Sequence, residues 1–138
     1  MRKTVLAVLF SILAAPAAFA QISRFTGDWV NTNSNTGGIV RIQVTAAGAN
    51  VHVHIWGKCH PNPCDWGTKQ AIVYGPSPAA NPIAEARALT VVFPTNFDEA
   101  LVVLKPNGPA LLTAEDFDRF TDNSGRKPFV QIENFRRR

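Results

Sequence analysis

Hydrophobic and polar residues alternate with a period of two along much of the chain after residue 20. In residues 51–57 the aliphatic side chains share one face, and His52, His54 and Trp56 share the other. Such alternation predicts a β-strand with one face in a core. Similar segments, separated by turn residues, bring the number of predicted strands to eight: residues 25–31, 39–45, 51–57, 67–74, 87–93, 100–105, 110–121 and 128–136.

These strands follow one another with mostly short connections, which predicts an all-β fold. Pro94 and Pro106 end two of them, because proline has no N–H to donate to a ladder. Asn107-Gly108 indicates a two-residue hairpin turn. We favour an antiparallel, eight-stranded up-and-down barrel, because closure removes exposed edges, and a β-sandwich is the alternative. The interior of such a barrel accommodates side chains or one small ligand.

Residues 1–20 have the pattern of a secretory signal peptide. A basic start precedes an apolar run at residues 5–15, which is too short to cross a bilayer comfortably, and residues 18–20 form a small-x-small cleavage site. We therefore expect a single β-barrel domain over residues 21–138, secreted or periplasmic. No later segment is apolar and long enough to predict a membrane span.

The charge distribution argues against nucleic acid as a partner. The chain has 14 basic and 10 acidic residues, which gives a formal net charge of +4. Removal of Arg2 and Lys3 with the signal peptide leaves 12 basic residues and a net charge of +2. Three of those 12 are the terminal Arg136, Arg137 and Arg138. Nucleic-acid binding needs a basic face on the folded domain, which this distribution does not predict.

Cys59 and Cys64 are the only cysteines, and four residues separate them. In an exported protein, two cysteines this close predict a disulfide at the tip of a hairpin. Closing so short a loop would stabilise the fold by roughly 2 kcal/mol. A metal site that includes His52, His54 or His60 is the alternative.

The same hairpin contains two tryptophans that suit either packing or binding. With the cysteines opposite each other, Trp66 lies opposite Gly57. The same register places Trp56 opposite Gly67. Each indole would then cover a glycine across the ladder, which stabilises the hairpin without a ligand. The alternative is a platform of Trp56, Trp66 and His60 that stacks on a sugar or a peptide.

His52 and His54 lie two residues apart on one strand face, so both imidazoles point the same way. A third ligand from a neighbouring strand could complete a zinc site, but Arg41 and Gln43, on that strand, are poor ligands. We therefore predict no metal and no cofactor. If the aliphatic face fills the core, the histidines face water. In the opposite orientation they line a polar lumen together with Trp56.

Four acidic residues cluster in the last two predicted strands: Glu115, Asp116, Asp118 and Glu133. Paired carboxylates can hydrolyse glycosides when a cleft separates them suitably. Here Asp116 and Asp118 share one face and Glu115 lies on the other, with basic residues nearby, which favours a solvated charged face. The sequence also lacks a Gly-x-Ser-x-Gly elbow and a phosphate-binding glycine loop. We therefore do not expect an enzyme.

Residues 25–31 read Phe-Thr-Gly-Asp-Trp-Val-Asn. This run resembles the Gly-x-Trp opening of the calycin barrels, and its Thr-Gly-x-Trp-x-Asn form is most similar to avidins. The resemblance implies that Trp29 closes the base of the barrel beneath an arginine, for which Arg126 and Arg136 are candidates. It also implies that Asn31 reaches the ligand. The later avidin tryptophans and the ligand-binding aspartate have no clear counterpart, so biotin is not the expected ligand.

A second resemblance covers most of residues 21–138. Residues 33–41, 57–67 and 120–126 are similar to an uncharacterised domain of exported bacterial proteins. Its hallmark resembles the Gly-Lys-Cys-His-Pro…Cys-Asp-Trp-Gly run of residues 57–67. This resemblance implies a fold and an exported location, and it brings no assigned activity.

These patterns together predict an exported, non-enzymatic β-barrel that binds a small ligand at its mouth by apolar burial and a few polar contacts. The alternative is a protein-interaction module, such as a protease inhibitor or an envelope accessory protein. It would act through the hairpin tip and the proline-rich loop at residues 76–82. We expect a monomer or a small homo-oligomer. The expected ligand contacts are Trp29, Asn31, His52, His54, Trp56, His60 and Trp66.

Overall fold

The computed structural model describes residues 21–138, and the predicted signal peptide lies outside the described residues. A short 3-10 helix, Ile22–Arg24, precedes nine strands. Over residues 21–138, no helix is long and apolar enough to cross a membrane. The strands are β1 (Gly27–Asn31), β2 (Ile39–Ala47), β3 (Asn50–Gly57), β4 (Cys64–Gln70), β5 (Ile72–Tyr74), β6 (Ala88–Pro94), β7 (Asp98–Pro106), β8 (Leu111–Phe120) and β9 (Phe129–Arg137).

All nine strands belong to one antiparallel sheet, in the order β4-β3-β2-β1-β9-β8-β7-β6-β5. The first and last strands, β1 and β9, pair with each other in the middle of this order. The sheet curls into a nearly closed barrel, because its two edge strands, β4 and β5, are consecutive in the chain and only Ala71 separates them. The all-β fold and the up-and-down barrel are thus confirmed in preference to a sandwich.

The strand count differs from the predicted eight because residues 67–74 belong to two strands. β4 pairs with β3, whereas β5 pairs with β6. Between them Ala71 is buried, and its N–H donates to the carbonyl of Val51 at 2.8 Å. The chain therefore passes from one edge of the sheet to the other at a small residue. Alternation along the sequence reports which face is buried, but it does not report a change of pairing partner.

The hairpin at Asn107-Gly108 is wider than the predicted two-residue turn. β7 ends at Pro106 and β8 begins at Leu111, so the loop contains residues 107–110. The N–H of Asn107 donates to the carbonyl of Leu111 at 2.9 Å and closes this loop. The two-residue prediction was wrong because Pro109 follows the glycine and cannot donate to a ladder.

Alternate side chains of the strands fill the barrel. On β3 the aliphatic side chains are buried, and His52, His54 and Trp56 are partly exposed on the outer face. This confirms the orientation in which the aliphatic face fills the core. Burial of such side chains contributes about 25 cal/mol per Å² of apolar surface. The largest fully buried side chains include Trp29, Phe25, Phe135, Ile39, Ile42, Ile55, Leu89, Leu104 and Leu112.

One end of the barrel is closed by Phe25, which follows the 3-10 helix, and by Trp29 of β1. Phe25 and Trp29 are fully buried there, and Nε1 of Trp29 donates to the carbonyl of Phe25 at 2.7 Å. The guanidinium of Arg137 lies over the indole of Trp29, 4.4 Å from its centroid. The covering arginine is therefore neither Arg126 nor Arg136. Arg137 takes this place because it lies opposite Trp29 in the β1–β9 register.

Candidate functional site

The other end of the barrel holds a cavity of about 440 Å³, which is within the size range of small-molecule sites. It lies beside the disulfide hairpin, where β3 ends and β4 begins. Two kinds of side chain give the cavity its character. Its aromatic wall consists of Trp66, Phe93, Phe97 and Phe129, and its acidic wall consists of Asp98, Asp116 and Asp118.

A β-bulge gives Trp66 its place in the aromatic wall. Trp56 pairs with Asp65, whereas the preceding Ile55 pairs with Gly67. Trp66 is therefore an extra residue of β4, and the bulge re-aims its side chain. The predicted register was wrong on this point, because regular alternation cannot anticipate an inserted residue.

Trp66 covers Gly57 and joins the two sides of the barrel. A Cβ atom on Gly57 would lie 2.6 Å from Nε1 of Trp66. The same indole meets Phe93 of β6 edge-on, with 5.8 Å between the ring centroids. The predicted covering of Gly57 by an indole is thus confirmed. The matching prediction for Trp56 and Gly67 was wrong: in the described part of the chain, no heavy atom beyond its two chain neighbours would lie within 4 Å of a Cβ on Gly67.

Replacing Gly57 with alanine is expected to lower the free energy of unfolding by about 1–3 kcal/mol, the usual cost of overpacking. The new methyl group would overlap the indole of Trp66, and a shift of the indole to make room would disturb its edge-on contact with Phe93. Urea denaturation measures the effect. Gly37→Ala is the control, because a Cβ there meets nothing within 4 Å over residues 21–138. Equal stability of the two variants would contradict the tight packing of Trp66.

The acidic wall follows from the alternation of β8. Leu112 and Ala114 face the interior, and Asp116 continues the same face with only 3% of its surface exposed. Within residues 21–138, its buried Oδ1 has no hydrogen-bond partner. Asp118, two residues further along β8, is partly buried. The expectation of a solvated charged face was therefore wrong for Asp116, because its position on the strand outweighs its polarity.

The carboxyls of this wall hold their protons more tightly than exposed aspartates do. Burial is the main cause that raises the pKa of Asp116 to about 7, and the nearby Asp118, Glu133 and Asp98 add to it. Burial, followed by the charge of Asp98, also raises the pKa of Asp118. Among the described side chains, no lysine or arginine forms an ion pair with Asp116 or Asp118. Lys58 is the one cation that the described chain places in the lining, and it forms no ion pair with this wall.

The other two members of the predicted acidic cluster have structural partners. Glu133 on β9 accepts hydrogen bonds from the hydroxyl of Thr36 and, at 3.0 Å, from the N–H of Ile39. These contacts fix the loop between β1 and β2. Glu115 lies on the outer face of β8 and pairs with Lys105 at 2.7 Å. The four acidic residues therefore do not form one site.

His54 and Trp56 belong to a polar network on the outer face of the barrel. Their rings are stacked, with centroids 3.9 Å apart, and Nε2 of His54 lies 2.6 Å from Oδ1 of Asp65. On the other side of Trp56, the guanidinium carbon of Arg41 lies 4.3 Å from the ring centroid. Arg41 in turn donates two hydrogen bonds to Asp28, at 2.7 and 2.9 Å. This network ties β1 to β4 on the outer face, and it meets the cavity only at Asp65, which also lines the cavity.

The remaining predicted contacts are also dispersed. His52 lies on the outer face of β3, and His60 is exposed at the hairpin tip. Trp29 is buried at the closed end. The amide of Asn31 donates to a backbone carbonyl of β2 at 2.7 Å and holds the β1–β2 loop. Of the predicted contacts, Trp66 alone lines the cavity.

Cys59 and Cys64 form the predicted disulfide, with their Cα atoms 5.4 Å apart, and both border the cavity. The bond therefore anchors one rim of the site. Within residues 21–138, no group of three or more His, Cys, Asp or Glu side chains is arranged to hold a metal ion. Inferences from the sequence considered Asp116 and Asp118 only as part of a solvated charged face, and they missed Phe93, Phe97, Asp98 and Phe129 altogether.

The chain was compared with models of protein families, with curated proteins and with solved structures, and none of them matches it. Its function is therefore inferred from the geometry and the chemistry of the cavity.

Proposed function

We propose that this protein is an exported, non-enzymatic binding protein that takes a small ligand into the open end of its barrel. The observation that carries this proposal is the cavity of about 440 Å³, in which four aromatic rings face a small number of polar groups. Largely apolar walls with a few placed polar groups are typical of ligand sites. A filled barrel core holds such walls in position before the ligand arrives, which reduces the entropy lost on binding.

The composition of the lining favours binding over catalysis. Its cysteines are joined in the disulfide, and in the described chain the lining includes neither histidine nor serine. The hydroxyl of Thr95 donates to the carboxylate of Asp98 in the lining, but it also accepts hydrogen bonds from the N–H groups of Phe97 and Asp98, so this pair closes the turn between β6 and β7 and does not have the usual arrangement for covalent catalysis. The ionisable groups of the lining are Lys58, Asp65, Asp98, Asp116 and Asp118.

We propose export on the basis of residues 1–20, and the disulfide supports it because such bonds persist in oxidising compartments. Kinship with calycin barrels and with the exported bacterial domain remains a proposal. The barrel and the buried Trp29 beneath Arg137 support the calycin resemblance. Because Asn31 is engaged by the β1–β2 loop, we propose that the ligand differs in chemistry from that of avidins.

Native mass spectrometry tests the proposal on protein purified without denaturation from cells that export it. An added mass of a few hundred daltons is expected, and its identity would give the ligand. Phe97→Ala is expected to weaken binding of that ligand about tenfold or more, because Phe97 lines the cavity and is 49% exposed to an incoming molecule. Phe117→Ala is the matched control: Phe117 is similarly exposed at 42%, but it lies on the outer face of β8.

Two results would contradict the proposal. The first is a bare chain mass together with no binding in a broad screen of small molecules. The second is a bound molecule whose affinity falls as much in Phe117→Ala as in Phe97→Ala, since that would move the site to the outer face.

A protein-interaction module that acts through the hairpin tip is the second candidate. The observation that favours it is the exposure of residues 60–63, whose loop is anchored by the disulfide. A rigid exposed loop suits recognition by a partner. Capture of a defined protein partner that requires His60 and tolerates Phe97→Ala would favour this candidate over the cavity.

A further inference from the structure

Asp116 presents an unsatisfied acceptor beside the cavity. Its side chain is almost fully buried, it lines the cavity, and within the described residues its Oδ1 has no hydrogen-bond partner. A buried polar atom without a partner costs about 1–3 kcal/mol, and more when the group is charged. Such an atom in a cavity wall points to a donor that the protein itself does not supply.

A second carboxyl lies close to this acceptor. Asp118 is two residues further on the same face of β8, which places the two side chains about 7 Å apart along the strand. Asp98 contributes a third carboxyl from β7, and the hydroxyl of Thr95 donates to it. No ion pair within residues 21–138 involves any of these three aspartates. A cation with N–H donors would both satisfy the free acceptor of Asp116 and neutralise the other two carboxyls.

The aromatic wall, in which Phe129 pairs directly with Asp118 across the β8–β9 ladder, suits the same kind of ligand. Phe97 and Phe129 at the rim are 49% and 44% exposed. Aromatic faces attract ammonium and guanidinium groups. The protein already uses this attraction beside the rim, where the guanidinium carbon of Arg126 lies 3.8 Å from the ring centroid of Phe120. Phe120 in turn stacks on Phe129, with 6.1 Å between centroids.

We propose that the cavity binds a small organic cation, an ammonium or amidinium group on an apolar body. Its N–H groups donate to Asp116 and Asp118, and its apolar body packs on Trp66 and Phe97. This inference rests on the proposed function and adds the charge and the chemical class of the ligand. A metal ion is not the proposed occupant, because the described side chains do not bring three suitable ligands together.

Binding of such a cation depends on pH, because it requires the ionised carboxyl of Asp116. The pKa of this group is raised to about 7 in the empty cavity, so its ionised fraction grows across the neutral range. Affinity is therefore expected to rise about thirtyfold between pH 5.5 and pH 8, with uptake of the cation coupled to loss of a proton. The charged groups around the carboxyl are Asp118 on β8, Asp98 on β7, Glu133 on β9, Asp65 on β4 and Lys58 after β3.

Isothermal titration calorimetry with a matched pair of probes tests the inference. Phenethylamine carries an ammonium that stays protonated across this range, and 2-phenylethanol is its neutral analogue. We expect phenethylamine to bind at least tenfold more tightly than 2-phenylethanol at pH 8. Asp116→Asn and Asp118→Asn should each weaken the amine at least tenfold, and Asp116→Asn should also abolish the pH dependence. Glu115→Gln is the control, because it removes the same charge from the outer face of the same strand.

Each other outcome overturns the inference in a distinguishable way. If the alcohol binds as tightly as the amine and Phe97→Ala weakens both, the cavity is a binding site for neutral ligands, and only the cationic class fails. If the amine binds but Asp116→Asn and Glu115→Gln affect it equally, the site does not involve the acidic wall. If neither probe binds, the purified chain has its bare mass and a broad screen of small molecules finds no binding, the proposed function fails as well.

Discussion

Replacing Trp29 with alanine is expected to lower the free energy of unfolding by about 3–5 kcal/mol, the usual cost of removing a large aromatic side chain from a core. Trp29 is fully buried and fills the closed end of the barrel next to Phe25. The substitution also removes the donor of the hydrogen bond to the Phe25 carbonyl and the aromatic face beneath Arg137. Domains of this size are commonly stable by only about 5–15 kcal/mol, so the loss takes a large share.

Trp56→Ala is the matched control for this measurement. It removes the same side chain from the outer face of β3, where Trp56 is partly exposed and stacks on His54. A loss of about 1 kcal/mol is expected, in keeping with the contribution of one aromatic pair at a surface. Urea denaturation with the disulfide intact would compare the two variants. Similar losses in both would contradict the assignment of Trp29 to the core and of Trp56 to the surface.

The burial pattern of the strands could be predicted because alternation expresses it directly. Residues 51–57 illustrate this, since the side chains predicted for the core are the ones that β3 buries. Pairing is a different kind of information. Gln70 and Ile72 have equivalent places in a period-2 pattern, so the pattern does not indicate that β4 ends at the first and β5 begins at the second. The ninth strand arises from this change of partner at Ala71, which depends on the curvature of the whole sheet.

The candidate site was harder to predict, because the polarity of a side chain and its place in the strand alternation indicated opposite faces of the sheet. His52, His54 and Trp56 drew attention as groups that bind ligands, although the alternation of β3 already indicated an outer face. The charge of Asp116 and the basic residues near it in sequence predict a solvated face, although Asp116 follows Leu112 and Ala114 with the same period. A strand position sets the direction of a side chain whatever its polarity.

Trp66 shows a second limit of the sequence pattern. It was predicted as a contact of the ligand and does line the cavity. However, the reason is a bulge, in which Ile55 pairs with Gly67 and Trp56 with Asp65. An inserted residue shifts every side chain that follows it relative to the partner strand. Its place is fixed by the geometry of the hairpin end and not by the local pattern.

Replacing Asp116 with asparagine is expected to stabilise the unliganded protein increasingly as the pH rises. The carboxyl has a pKa of about 7 in the fold, against a reference value of 3.8. Between these values the unfolded chain has lost a proton that the folded protein keeps, so a rise in pH favours unfolding of the wild type. Below pH 3.8 the carboxyl is protonated in both states, and above pH 7 the wild type has lost the full stability that this proton contributes. The variant should therefore gain roughly 3–4 kcal/mol relative to the wild type between pH 4 and pH 8.

Asp122→Asn provides a control with the opposite sign. Hydrogen bonds from Ser124, followed by Arg126, lower the pKa of Asp122 to about 2, so its ionised form stabilises the fold and that contribution is lost as the pH falls. Urea denaturation should therefore show the difference for Asp116→Asn growing between pH 4 and pH 8, whereas the difference for Asp122→Asn stays nearly constant there and changes in the opposite direction only below pH 4. A pH-independent difference for Asp116→Asn would show that its carboxyl is solvated. If the curves diverge as expected, ionisation of Asp116 destabilises the folded protein, and a bound cation would offset this destabilisation.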